Sequence, residues 1–161
     1  MDNTEKRDYI ELRPNAITVE EYLKLRRLVG WKKLSKEQAR KALDNSLYTL
    51  GAYVADQPVG MGRIVGDGAV ICYVQDLIIP PQAQGIGVGS LILEALKEYV
   101  ESLRMEGTEM MLDLMCAKGR EEFYIRHGFT ARPTETLGPG MILYLNDSYS
   151  SDRTLHLLQS P

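Results

Sequence analysis

The chain has 161 residues, 44% apolar and 25% charged, with 19 basic and 22 acidic residues for a net charge of −3. That size suits one domain with its own core, and the composition argues against wholesale disorder. The charge speaks against a general nucleic-acid binder, and no apolar run approaches the roughly 20 residues of a membrane span. The polar start, residues 1–8, lacks a secretory hydrophobic stretch, and Cys72 and Cys116 lie far apart in apolar segments. Both cysteines read as reduced core thiols, which points to the cytoplasm.

In chain order, residues 9–12 alternate apolar and charged and predict a strand. Thr18-Val19-Glu20-Glu21 is a capping box, so a helix is expected to Val29, ending at Gly30. Ser35-Lys36-Glu37-Gln38 repeats the signature and opens a second helix to Leu43, with Trp31 in the connection. Residues 47–55 and 59–65 flank the turn Asp56-Gln57-Pro58 and predict a hairpin. Residues 69–79 form a long apolar strand interrupted by Gln75 and Asp76, which suits the middle of a sheet.

Beyond Pro80-Pro81 lies Gln82-Ala83-Gln84-Gly85-Ile86-Gly87-Val88-Gly89-Ser90, then the clearest helical pattern. Val88, Leu91, Ile92, Ala95, Leu96, Tyr99, Val100 and Leu103 recur at i, i+3, i+4 and i+7. Residues 110–116 predict a strand, 119–126 a short helix stopped by Gly128, and 129–132 and 141–145 the last strands. Residues 1–145 are expected to form one domain and 146–161 a tail or small appendage.

A strand, a glycine-rich turn and an amphipathic helix in succession make an anion site suited to a phosphate or pyrophosphate. A tight strand–helix connection would leave the same trace. Two known phosphate loops fail on spacing. The P-loop needs a lysine where Gly89 precedes Ser90, and residues 85–90 do not follow the dinucleotide pattern G-x-G-x-x-G.

Gln84-Gly85-Ile86-Gly87-Val88-Gly89 resembles the Q/R-x-x-G-x-G/A signature of the GNAT superfamily of acyl-CoA-dependent N-acyltransferases. Glu122-Phe123-Tyr124-Ile125-Arg126-His127-Gly128-Phe129 is similar to the family's F-Y-x-x-x-G-F element, and the element order matches over about residues 9–145. The resemblance implies an α/β fold of the α+β type, a mixed, largely antiparallel central sheet flanked by helices, with a parallel pair splayed to admit the cofactor. It also implies acetyl-CoA as acetyl donor. Two departures stand out. Gln84 replaces the family's frequent arginine, and Ala117 stands about where some members carry an asparagine that contacts the cofactor. No Lys or Arg lies between Gly66 and Lys97, so phosphate binding is expected to rest on backbone amides of Gln84, Gly85, Ile86, Gly87, Val88, Gly89 and Ser90.

The family's chemistry needs a neutral amine, an oxyanion stabiliser and a proton for the leaving thiolate. By resemblance, the Leu77 amide polarises the thioester, Ile78 and Ile79 run beside the pantetheine arm, and Tyr124 protonates the thiolate. As an alternative, Tyr124 is an ordinary half-buried tyrosine. Asp76 reads either as the group that takes the ammonium proton or as a structural salt-bridge partner, with Arg63 the candidate. Asp113 shares that ambiguity, and His127 reads as a helix-end residue. Trp31, Tyr73 and Gln75 are expected on the acceptor side, though Trp31 also suits a packed anchor between helices.

The expected activity is acetyl transfer from acetyl-CoA to a primary amine of a small molecule, by direct attack in a ternary complex. Acetylation of protein amines and a non-catalytic acetyl-CoA-binding module are the alternatives. No metal, nucleic acid or membrane partner is expected, and residues 141–145 suit an edge for a homodimer.

Overall fold

The computed structural model describes residues 9–146 together with Tyr149. The chain divides into two compact units, one up to Arg120 and the other from Glu121.

The first unit holds a five-stranded sheet in the order β1-β2-β3-β4-β5. The strands are β1 (Glu11–Pro14), β2 (Tyr48–Val54), β3 (Gln57–Gly66), β4 (Ile71–Ile78) and β5 (Met111–Asp113). Three successive pairs are antiparallel, and β4 with β5 is parallel. Helices α1 (Val19–Leu28) and α2 (Lys36–Asp44) precede β2, and α3 (Val88–Leu103) makes the crossover between the parallel strands. The fold is therefore the mixed, largely antiparallel sheet that the resemblance implies.

Local chemistry accounts for the helix starts. The Thr18 hydroxyl accepts from the Glu21 amide at 3.2 Å, and the Glu21 carboxylate accepts from the Thr18 amide at 2.8 Å. Ser35 accepts from the Gln38 amide at 3.0 Å at the start of α2. Helix α3 buries Val88, Ile92, Leu96 and Val100 of the predicted stripe together with Leu93, which lies outside it.

Two layers cover the sheet. Under α1 and α2 lie Ile17, Tyr22, Leu25, Ala39, Tyr53, Met61 and Ile78. Against β3, α3 packs so closely that a Cβ on Gly60 would come within 2.9 Å of Val88, and one on Gly62 within 2.7 Å of Leu96. Glycine at both positions lets the helix lie directly on the strand.

The second unit opens with α4 (Glu121–Arg126). Its end is a Schellman motif: the Gly128 amide donates to Ile125 O at 3.0 Å and the Phe129 amide to Tyr124 O at 3.1 Å. His127 sits at this helix end, as its sequence position suggests.

Several boundaries differ from expectation. The first strand begins at Glu11 rather than Tyr9, and the strand expected over 110–116 is confined to Met111–Asp113. Residues 129–132 and 141–145, predicted as strands, form neither strand nor helix. Apolar alternation gives only the tendency to extend; a strand also needs a paired neighbour for its backbone groups. Residues Met141–Leu145 are instead exposed. Most of the expected tail, 146–161, lies outside the described residues. No helix among the described residues is long and apolar enough to cross a membrane, and Cys72 and Cys116 form no disulfide.

Candidate active site

Strand β4 is where the sheet loses its regularity. Gln75 pairs with Arg63 and Ile78 with Met61, so Asp76 and Leu77 both lie opposite the single Gly62. The register shift is a β-bulge, and Asp76 in it has a left-handed φ of 54°. Strict alternation would put residues 75 and 77 on one face. The bulge instead turns Asp76 toward α1 and Leu77 toward α3, where Leu77 Cδ1 borders Gly62. On its other edge β4 pairs with β5 only over Ile71–Tyr73. Residues 74–78 have no strand beside them there among the described residues, which is the splay expected of the parallel pair.

The Asp76 carboxylate is 4% exposed and accepts from four donors. Tyr22 Oη donates to Oδ2 at 2.5 Å and Arg63 Nε to the same oxygen at 2.8 Å. Arg26 Nη1 donates to Oδ1 at 3.0 Å and Gln75 Nε2 at 3.2 Å. Arg63 also reaches Ala42 O and the Ser46 hydroxyl at the end of α2. The salt bridge to Arg63, one of the two readings of Asp76, is thus present together with a second guanidinium. A buried carboxylate needs such partners to remain ionised.

Burial, and next the Asp76 charge, push the Tyr22 phenol up to about 12. An unfolded tyrosine titrates near 10, so Tyr22 stabilises the fold fully below about pH 10 and loses that contribution as pH rises through about 12. Across that window the loss is on the order of 2–3 kcal/mol, at about 1.4 kcal/mol per unit. Tyr53, also raised to about 12 by burial and then by Glu21, titrates in the same range. Denaturant melts at about pH 9 and about pH 11.5 should show this drop, and Tyr22→Phe should reduce it. An equal drop in the variant would contradict the assignment.

Trp31 follows α1 at a place fixed by the backbone. Gly30, with φ of 72°, takes the left-handed turn that ends the helix, and the Trp31 amide returns to Arg26 O at 3.0 Å. The Arg26 guanidinium lies 5.3 Å from the Trp31 ring and 5.6 Å from the Tyr22 ring, and donates to Lys32 O at 3.0 Å. The indole remains 39% exposed. Trp31 and Gln75 are therefore linked through Arg26 and Asp76. Tyr73, whose partners are Val65 and Asp113 across the sheet, is not part of that chain of contacts.

Ile79 follows β4, and a 3₁₀ turn at Pro81–Ala83 leads into the glycine loop. Gln84 braces this turn, its Nε2 donating to Ile79 O at 2.9 Å. Its Oε1 accepts from Arg120 Nη2 at 3.3 Å. The loop thus has a cation beside it, brought from 36 positions downstream, which the sequence around the motif does not announce. Gly87, with φ of 87°, is the N-cap of α3 and has no side chain to cap it, and the first turn of the helix holds no acid. The positive end of a 16-residue helix is left without a carboxylate of its own.

Tyr124 belongs to the second unit, on α4, with its ring edge-on to Phe123 at 5.1 Å and to Phe129 at 5.9 Å. Among the residues that sequence reasoning did not single out, Tyr22, Arg26 and Arg120 are the ones the structure adds. None carries a local signal, since each is an ordinary helix or loop residue until the fold brings its partner close.

The family described as acetyltransferase (GNAT) domain matches residues 18–143, and the chain belongs to that GNAT acetyltransferase family. An uncharacterized N-acetyltransferase ycf52-like protein of Prochlorococcus marinus is 32% identical over 109 residues, 65% of this chain and 58% of that protein. Serotonin N-acetyltransferase 2, chloroplastic, of Oryza sativa subsp. japonica is 34% identical over 83 residues, 49% of this chain and 40% of that protein. The chain thus spans about half the length of these curated relatives. A solved structure of a probable acetyltransferase from meticillin-resistant Staphylococcus aureus is 30% identical, with a TM-score of 0.74 over 84% of this chain and 99% of that one. Fold, family model and relatives thus agree on a GNAT acetyltransferase domain.

Proposed function

We propose that the chain transfers the acetyl group of acetyl-CoA to a primary amine of a small molecule, by direct attack within a ternary complex. One observation carries this reading. The bulged β4, with no strand beside residues 74–78 among the described residues, leads into a glycine loop and a helix whose N-cap residue is itself a glycine. Such an edge suits the amides of a pantetheine arm beside Leu77, Ile78 and Ile79, and the helix start suits a pyrophosphate at residues 84–90. When bound, acetyl-CoA supplies the activated acetyl group.

The chain's own groups then have distinct tasks. The Leu77 amide donates to the thioester oxygen as charge develops on it. Tyr124 holds the proton that the leaving thiolate takes. Trp31, Tyr73 and Gln75 contact the acceptor. Asp76 was one candidate for the proton acceptor, but four donors already occupy its oxygens, which favours its structural reading. The partly exposed Trp31 indole supports an acceptor with an apolar or aromatic portion, and a rice relative is named for serotonin. Residues 1–145 are proposed to act as one catalytic domain in the cytoplasm. The exposed apolar run Met141–Leu145 supports pairing of two copies, which sedimentation at high micromolar concentration tests.

Thiol release from acetyl-CoA, measured with small aliphatic and aromatic amines, with lysine and N-terminal peptides, and with no amine, tests the proposal. Release that depends on a small amine is expected. Release only with peptides would move the acceptor to protein amines. Binding without amine-dependent release would indicate a non-catalytic module.

Arg120→Ala should weaken acetyl-CoA binding by about fivefold at low salt, the size of an exposed charge contact. The loss should shrink as ionic strength rises, because the contact is screened. Calorimetric titration at two salt concentrations reads both effects; an unchanged affinity at low salt would remove Arg120 from the site.

A further inference from the structure

We infer that Tyr22, Arg26 and Arg63 clamp Asp76 in its left-handed conformation and thereby set the Leu77 amide, which makes all four positioning residues. The inference rests on the acetyl-transfer reading above only for its catalytic consequence.

The backbone is the starting point. Asp76 is a buried L-residue with φ of 54° inside a strand. Only glycine, and less readily Asn or Asp, takes this conformation without substantial cost. It persists where the surroundings over-determine it. Here they do, because three side chains from two elements hold the carboxylate. Arg26 and Tyr22 come from α1, Arg63 from β3, and Arg63 is itself tied to the end of α2.

These contacts exist only while the bulge does. With an unbulged register, alternation would send residue 76 toward α3 and residue 77 toward α1. The carboxylate would then face the apolar stripe of α3, away from both guanidiniums. The clamp therefore fixes which residue projects to each side, and with it the direction of the Leu77 N–H. Arg26 extends the same contact outward through Lys32 O and the Trp31 ring, so the acceptor-side loop and the bulge share one guanidinium.

Asp76→Gly and Asp76→Ala separate this role from that of a base. Both remove the carboxylate, and they differ in how easily the backbone turns left-handed. The clamp predicts that kcat of the glycine variant exceeds that of the alanine variant by about tenfold. The Leu77 amide resonance should stay near its wild-type position in the glycine variant and move in the alanine variant. Equal kcat values, or a Leu77 resonance indifferent to the choice, would overturn the clamp.

Because both variants leave two guanidiniums without their carboxylate, Arg26→Met serves as companion in case neither folds. It should lower kcat by about tenfold, and adding Asp76→Gly should restore most of the loss, since glycine needs no clamp. Abolished turnover in a folded double variant would instead identify Asp76 as the base. The amide resonance needs no turnover. A wild type that transfers no acetyl group would therefore count against the acetyl-transfer reading, while the spectrum alone decides the clamp.

Discussion

Tyr124→Phe is expected to lower kcat by about 10²- to 10⁴-fold, the usual contribution of a positioned general acid. A phenol suits the task because its hydroxyl can donate a proton to a departing thiolate. Removing the hydroxyl keeps the ring, and with it the edge contacts to Phe123 and Phe129. Folding and acetyl-CoA affinity should therefore change little. A tyrosine that serves only packing predicts the reverse, a lower melting temperature with near-normal turnover. Steady-state kinetics beside a thermal melt distinguishes the two, and wild-type kcat in a well-folded variant would decide against the acid.

The second large effect is expected at the start of α3. Gly87→Val asks a β-branched residue to adopt φ of 87° and places a side chain where the ligand's phosphates are proposed to lie. Left-handed strain of that kind costs about 1–3 kcal/mol, so acetyl-CoA affinity should fall roughly 10- to 100-fold. Gly89→Val should act in the same direction by blocking close approach. Gln84→Ala should be milder, because it removes a brace to Ile79 O rather than an amide of the helix start. Unchanged calorimetric affinity in both valine variants would remove the pyrophosphate assignment.

These two sites were legible from the sequence to different degrees. The glycine loop and α3 stand out because period and spacing are local properties, and the observed helix begins at Val88 and ends at Leu103 as its apolar stripe requires. The capping box at Thr18 is visible for the same reason. The bulge left no such mark. A glycine would have advertised a left-handed position, whereas an aspartate reads first as a candidate acid. Its meaning depends on Tyr22 and Arg26, 54 and 50 positions away, which no local pattern connects to it. Arg120 escaped notice in the same way, since only folding brings it to Gln84. The error at residues 129–132 and 141–145 ran in the other direction. Their composition favours an extended chain, but pairing is a property of two segments, and one segment's composition cannot supply it.

The stretch of β4 at residues 74–78, beside which no strand lies among the described residues, also bears on how the protein behaves in storage and handling. A row of free strand backbone is a template for any extended polyamide, whether the arm of a thioester ligand or a segment of another chain. Ligand and aggregate are then competitors for one strip of hydrogen-bonding groups. Ligand-free preparations should gain turbidity faster on prolonged incubation than preparations saturated with coenzyme A. The protection should track occupancy of the strip rather than a general rise in melting temperature, and a ligand fragment carrying the amides but no phosphates should retain part of it.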